Sequence, residues 1–302
     1  VVSLKGRNPE ENAVFNTRKE PLDTEIPLVV LVNNGSASAA EVVAGALQDM
    51  DRAVLVGRRT FGKGLVQTTR PQGYNSYLKL TTAKYYLPSG RCIQAIDYAS
   101  RAEDGTLSHI PDSLITEFKT AAGRKVYDGG GVMPDVRIPA EYVNRFAYIV
   151  YGKGYIDDYV DMFMRANTDR EVVPGEFRIT NEDYAAFVEF MSDKDVEWQS
   201  ETKLLLAKLK EAAEAERYTE TVGDYITAIE ENLDDDVQEA LKLYKKELSE
   251  LIENEIVLRR AYNQGVVVQN LAKDADVREA MELFADMERY DEILTVKDTD
   301  RK

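Results

Sequence analysis

Histidine and cysteine, the commonest sources of a general base, a thiolate nucleophile or a metal ligand, are nearly missing: the 302 residues hold one of each. A lone cysteine, Cys92, excludes an internal disulfide and a thiolate metal cage. It is compatible with the cytosol or with a Gram-negative periplasm. The lone histidine, His109, closes the polar stretch Gly105-Thr106-Leu107-Ser108-His109, which reads as a turn. No apolar run approaches the roughly 18 residues needed to span a membrane, and Val1 opens no signal peptide. Either targeting segments have been removed or the chain is a piece of a longer one. Basic residues are in deficit as well. The net charge of −16 makes nucleic acid a poor partner. There is no internal repeat.

What remains describes a soluble globular protein, with 44% apolar and 30% charged residues, long enough for two compact units. Charge separates them. Residues 1–140 carry 17 Lys and Arg against 15 Asp and Glu, which leaves 21 against 39 for the remainder. We therefore expect one unit over 1–140 and a second, acidic one over 141–302.

The front part reads as α/β. Residues 27–33 form a short apolar run suited to a strand covered on both faces. Asn34-Gly35 breaks it, and from Ala37 the spacing turns helical, with Val42, Val43, Ala46, Leu47 and Met50 on one stripe. Ala53–Val56 is a second buried strand. Leu65–Thr69 and Tyr77–Leu87 alternate as exposed strands do, closed by the turn Pro88-Ser89-Gly90. One more short strand is expected at Val136–Pro139. The back part is all-α: residues 181–261 are rich in Ala, Leu, Glu and Lys. Val237, Leu241, Tyr244, Leu248 and Leu251 fit an amphipathic bundle helix better than a coiled-coil seam, because they cover only about two heptads.

Two residues draw attention as chemistry. Ser38 starts Ser38-Ala39-Ala40-Glu41, the S-x-x-E capping box, so it has a purely structural reading as a helix cap. A helix N-terminus after a strand is equally a place where free N–H groups stabilise an oxyanion. Lys63, in Thr60-Phe61-Gly62-Lys63-Gly64, is a solvated loop lysine by default. Gly57–Gly64 also nearly spells a phosphate-binding loop. It lacks the final hydroxyl, and Leu65–Pro71 is β-like where that loop would open a helix. The functional reading pairs the two residues: with so little histidine, lysine is the base on offer for the Ser38 hydroxyl. Lys63 must then be neutral, which calls for an apolar, partly dry pocket. Gln67, four residues on, could hold the amine by a hydrogen bond. The paired acidic residues Asp157-Asp158 and the run Asp234–Asp236 lack the spacing of a calcium loop, and neither a metal nor a cofactor is expected.

Several further stretches carry a resemblance. Asn34–Asp49, Asp51–Ala53, Val56-Gly57, Thr60–Gln67, Lys84–Arg91, Phe118–Gly123 and Gly129–Asp135 occur in the order found in the C-terminal processing peptidases, or tail-specific proteases. Residues 27–135 resemble the protease core of that family of serine endopeptidases. The resemblance implies a crotonase-like peptidase core of mixed sheet and helices, with an all-α region after it. It implies Ser38 as nucleophile, Lys63 as general base, Gln67 as the amide that orients the lysine, and the Ala39 N–H as one oxyanion donor. It also implies ATP-independent cleavage near apolar C-terminal tails of extracytoplasmic proteins, in the bacterial periplasm or at a membrane, without cofactor. Two departures stand out. Ala40 replaces the family's third serine. The PDZ domain and the strand that supplies the second oxyanion donor have no counterpart, so the chain is expected to be a C-terminal fragment and to be inactive by itself if that donor is essential.

The competing expectation is a scaffold on a peptidase fold, whose acidic helical region docks an adaptor. A working protease whose helical region forms a homodimer or binds an adaptor combines the two.

Overall fold

The computed structural model describes residues 1–101, 107–140, 144–233 and 236–295. It falls into two compact units, one of Val1–Ala140 with Asp274–Lys302 and one of Glu141–Lys273.

The front unit is built on a short parallel sheet. β1 (Val2–Gly6), β2 (Ala13–Phe15) and β3 (Val29–Val32) precede helix α1 (Ala39–Asp49), which leads to β4 (Val54–Gly57). β3 pairs parallel with β4, and β4 with the two-residue β11 (Val136–Arg137), giving the order β11-β4-β3. Every residue of central β4 is buried. β3 lies at the edge: Val30 and Val32 pack into the cluster on one face and Val29 into that on the other, but Leu31 is exposed, so its cover is less complete than that of β4. A second sheet is antiparallel, in the order β2-β1-β6-β5, with β5 spanning Leu65–Gly73 and β6 Ser76–Tyr86. Pro71 is tolerated in β5 because β5 is an edge strand. β5 is a strand directly after the Gly62-Lys63-Gly64 loop, which removes the phosphate-loop reading.

Two hairpins complete the unit's strands: β7 (Ile96–Arg101) with β8 (Leu107–His109), and β9 (Glu117–Lys119) with β10 (Lys125–Tyr127). His109 therefore ends a strand, paired opposite Ile96, and does not lie in a turn.

Alternate residues of β4 point to opposite faces, and each face has its own cover. Leu55 packs with Val32, Ala44, Leu87 and Ile93 on the α1 side. Val54 and Val56 pack with Leu283 and Tyr290. Those two residues come from α9 (Ala275–Ala285) and α10 (Met287–Leu294). The expected second unit of 141–302 is thus corrected at its end: the segment from Asp274 rejoins the front unit, because a parallel sheet needs an apolar layer on both faces. The Tyr290 hydroxyl fastens it, accepting from the Leu28 N–H at 2.9 Å and donating to the Leu28 carbonyl at 3.0 Å. Arg58, just past β4, pairs with Asp276 at 3.2 Å.

Helix α1 is anchored at its far end by polar bonds. Asp49 pairs with the buried Arg91 at 2.8 Å, and Arg124 bridges Asp51 and Asp135 at 2.6 and 2.7 Å. Arg124 is thus committed to the packing of this end of α1, where it also donates to the Gln48 carbonyl at 3.1 Å.

The helical unit contains α2 (Arg145–Gly152), α3 (Tyr155–Ala166), α4 (Asn181–Met191), α5 (Glu201–Ala215), α6 (Thr219–Glu231), α7 (Val237–Leu243) and α8 (Lys245–Leu271). Phe146, Tyr159, Phe187, Leu241, Leu248 and Ile252 lie at its centre, all essentially buried. The stripe from Val237 is interrupted at Tyr244, which separates α7 from α8, so it is neither one bundle helix nor a coiled coil. α8 itself reverses at Tyr262, whose φ of 58° and ψ of −168° are not helical. Asn270 Nδ2 donates to Asn254 Oδ1 at 2.9 Å. In a straight helix those residues would stand about 24 Å apart, so the two halves of α8 lie alongside each other. Of the acidic run, Asp234 and Asp235 lie outside the described residues; Asp236 caps α7. No helix among the described residues is long and apolar enough to cross a membrane.

The Tyr290 anchor gives a direct expectation. Tyr290→Phe leaves the Leu28 N–H without its partner, while the Leu28 carbonyl keeps the Val54 N–H, and should lower the stability of the front unit by about 1–3 kcal/mol in urea unfolding. Amide exchange at residues 28–32 should rise with it; unchanged exchange there would show that α10 does not hold β3.

Candidate active site

The chain leaves β3 through a polar turn. Asn33 Oδ1 accepts from the Gly35 N–H at 2.9 Å, and Ser36 Oγ accepts from the Asn33 N–H at 3.1 Å. Ser38 follows at the cap of α1 with φ of 57° and ψ of −115°. A side chain with a Cβ rarely holds positive φ, and such strain costs of order 1–3 kcal/mol unless the surroundings enforce it. A serine on a sharp, strained strand-to-helix turn presents its hydroxyl outward, as nucleophiles require. Ala39, the first residue of α1, carries one of the N–H groups for which a helix has no internal partner.

Glu41 enforces the turn. Its side chain is fully buried, and its carboxylate accepts from the Ser38 N–H at 2.9 Å. The same carboxylate accepts from Thr60 Oγ1 at 2.5 Å, from the Gly62 N–H at 2.7 Å and from the Lys63 N–H at 2.8 Å. Three of the four donors belong to the lysine loop, and one is the serine's own amide. Glu41 forms no ion pair among the described residues. Four donors and its place in the first turn of α1, where the helix dipole favours an anion, offset the cost of burying the charge. A second tie runs from the Phe61 N–H to the Ser36 carbonyl at 3.0 Å.

The lysine loop is held from its other side by Gln94. Its Oε1 accepts from the Gly64 N–H at 2.8 Å, and the Ala95 N–H donates to the Gly62 carbonyl at 3.0 Å. Gly62 has φ of +85°, and a Cβ there would come within 2.3 Å of the Ala95 Cβ. That position needs glycine twice over, for conformation and for space.

The chain enters β5 at Leu65, and in a strand residues two apart share a face. Lys63, Leu65 and Gln67 accordingly line one cleft of about 360 Å³ with Ala37, Phe61, Gly62, Gln94 and Ile96. The register slips between Val66 and Gln67, where β6 carries one residue more than β5. Such a bulge re-aims the side chains beside it.

The predicted residues are thus partly assembled. Lys63 and Gln67 share the cleft, Ala37 brings the serine turn to its rim, and Ser38 and Ala39 stand at the cap of α1. Ser38 and Lys63 form no hydrogen bond with each other among the described residues, nor do Lys63 and Gln67, and Lys63 is exposed. Catalytic hydrogen bonds often close only when substrate is bound. Glu41 and Gln94 were not picked out from the sequence as parts of the site. The capping-box spacing marked Glu41 but only as a partner of Ser38, and nothing in the sequence ties it to a loop about 20 residues on.

Residues 1–100 match the description "Peptidase family S41". The front part of the chain is similar to that family. A carboxy-terminal-processing protease of Bartonella bacilliformis is 52% identical over 96 residues, which is 32% of this chain and 22% of that protein. A chloroplastic carboxyl-terminal-processing peptidase 3 of Arabidopsis thaliana is 53% identical over 81 residues, 27% of this chain and 15% of its own. A solved photosystem II D1 C-terminal processing protease is 31% identical over 45% of this chain and 26% of its own, with a TM-score of 0.32. The matched stretch spans less than a quarter of the length of these two curated relatives. Residues 146–284 match a second description, "Probable PDZ-protease, C-terminal helical domain".

In this site Gly62→Ala should be costly. Strain at positive φ alone is worth about 1–3 kcal/mol, and the clash with Ala95 must move the loop. A lowered melting temperature together with faster exchange of the Gly62 and Lys63 amides is expected; a melting temperature equal to the parent's would contradict the crowding described.

Proposed function

We propose that the protein is a serine endopeptidase that cleaves near the apolar C-terminal tails of extracytoplasmic proteins, with Ser38 as nucleophile and Lys63 as base. The observation that carries this is the joining of two segments by one buried carboxylate: a strained serine at a helix cap and a lysine loop that opens into a cleft. The S41 match of residues 1–100 and relatives named as carboxy-terminal-processing proteases support it.

In the proposed reaction the Lys63 amine takes the Ser38 proton as Oγ attacks the scissile carbonyl. The Ala39 N–H donates to the oxyanion that forms, in an environment where such a donor is worth far more than in water. Collapse breaks the C–N bond, and the proton on Lys63 passes to the leaving amine. Water, deprotonated by Lys63 in turn, attacks the acyl carbon; the bond to Ser38 Oγ breaks, and the proton on Lys63 returns to that oxygen. Gln67 holds the lysine amine while the substrate covers the cleft and excludes water from it. Phe61, Leu65 and Ile96 give the cleft apolar walls that suit apolar tail residues. On this reading the front unit is a crotonase-like core, a PDZ domain accompanies it in the whole protein, and the site lies in the periplasm or at a membrane. Neither ATP nor a metal takes part.

The helical unit serves a different purpose in this reading, self-association of the protease. Helices α5 and α6 bury Leu206, Ala213 and Ile226 against each other. Beside those residues each helix leaves an exposed apolar pair four residues apart, Leu205 with Leu209 and Tyr225 with Ile229. A two-helix hairpin with apolar residues on its outer side is half of a four-helix bundle, and a second copy supplies the other half.

Ser38→Ala and Lys63→Ala should each lower cleavage of an apolar-tailed peptide by the full-length protein by at least about 10²-fold, the lower range for a general base. The rate should be indifferent to EDTA and to ATP. Turnover that survives Lys63→Ala would remove the dyad, and a function that survives both substitutions but not loss of 145–302 would favour the scaffold reading instead. Leu209→Glu with Ile229→Glu should shift the protein to monomer in light scattering without changing its helical content. A parent that is already monomeric would overturn the self-association.

A further inference from the structure

Resting on the Ser38–Lys63 reading, we propose that Glu41 is a positioning residue for the reaction: it sets the distance and orientation between nucleophile and base by holding both backbones on one rigid carboxylate. The capping-box role accounts for only one of its four bonds. A cap needs the reciprocal bond to the Ser38 N–H and nothing more. The other three, from Thr60 Oγ1, the Gly62 N–H and the Lys63 N–H, lead to the lysine loop.

The chemistry of the acceptor fits this task. A carboxylate has two oxygens with about four acceptor positions and no donor. Oε2 takes the amides of Ser38 and Lys63 together, at 2.9 and 2.8 Å, so the two reacting residues hang from a single atom. Oε1 takes Thr60 Oγ1 and the Gly62 N–H. Thr60 extends the support: its Oγ1 accepts from the Val132 N–H at 2.7 Å, and its own N–H donates to the Val132 carbonyl at 3.1 Å. Full burial keeps water from competing for any of these bonds. Glutamine has one carbonyl oxygen and would turn an NH2 group toward two of the four donors. Alanine would leave all of them without an acceptor.

A residue that positions the reacting pair affects the chemical step more than substrate binding. A misplacement of about 1 Å between reacting groups costs of order 10²-fold in rate. In the full-length protein, assayed on a peptide with an apolar tail, Glu41→Gln should lower kcat by about 10–10²-fold with KM within about twofold and rates scaled to folded protein. Glu41→Ala should fall further. Thr60→Val, which removes one donor and keeps the shape, should give a smaller loss, again in kcat. The Ser38→Ala control separates the two readings: if it retains turnover, the dyad itself is wrong, whereas if it is inactive and Glu41→Gln is not impaired, only the positioning role is. A loss in Glu41→Gln that falls on KM, or that disappears once rates are scaled to folded protein, would overturn the proposal. Should neither Glu41 variant fold, Thr60→Val decides it: wild-type kcat there overturns the proposal, and a reduced kcat with unchanged KM supports it.

Discussion

Glu41 carries a charge into the front unit without a cation to pair with it among the described residues, and four hydrogen-bond donors make that burial tolerable. The same bonds dictate where those donors can be. Because one donor belongs to the serine turn and the rest to the lysine loop, neither segment can shift without leaving a buried carboxylate oxygen short of a partner, at a cost of about 1–3 kcal/mol or more for a charged group. The positive φ of Ser38 is a consequence. A conformation that a free serine avoids persists because the amide on its own residue is tied down.

The sheet supplies the frame for this arrangement. α1 can present its N-terminus at the end of β3 only while its body is pinned, which Leu55 and its neighbours achieve from the sheet and Arg91, Arg124 and Asp135 from the far end of the helix. The opposite face of the sheet is closed by α9 and α10, drawn from the end of the chain. Residues some 250 positions away in sequence thus support a site they do not approach chemically. The lysine's other neighbours come from an extended strand, so that Lys63, Leu65 and Gln67 face one way. The similarity to S41 is carried by this front part of the chain, whereas the helical unit matches a description of its own.

How far the sequence could be read follows from the range of the forces involved. The βαβ order, the two exposed strands and the serine-to-helix junction rest on local periodicity, and each could be seen in a window of ten residues. Ser38, Lys63 and Gln67 were nominated by spacing and resemblance. The β spacing of Lys63 and Gln67 explains why an i+4 pair shares a cleft without a helix. What could not be read was non-local. The apolar residues Leu283 of α9 and Tyr290 of α10 look like those of any bundle helix, and nothing in the local pattern says that their partner is Val56. Tyr244 and Tyr262 fit helical patterns on both sides, yet the backbone leaves the helix at each. Glu41 is an ordinary capping residue by sequence; its three other bonds depend on a loop brought to it by the fold.

The central claim is that Ser38 is a nucleophile activated by Lys63 across the Glu41 tie. The most direct measurement is reaction of the full-length protein with a fluorophosphonate, followed by peptide mapping of the phosphonylated residue in the parent and in Lys63→Ala. The account predicts a single adduct on Ser38 that forms far more slowly when Lys63 is replaced. An adduct on another residue, or equal labelling of Ser38 in both proteins, would contradict it.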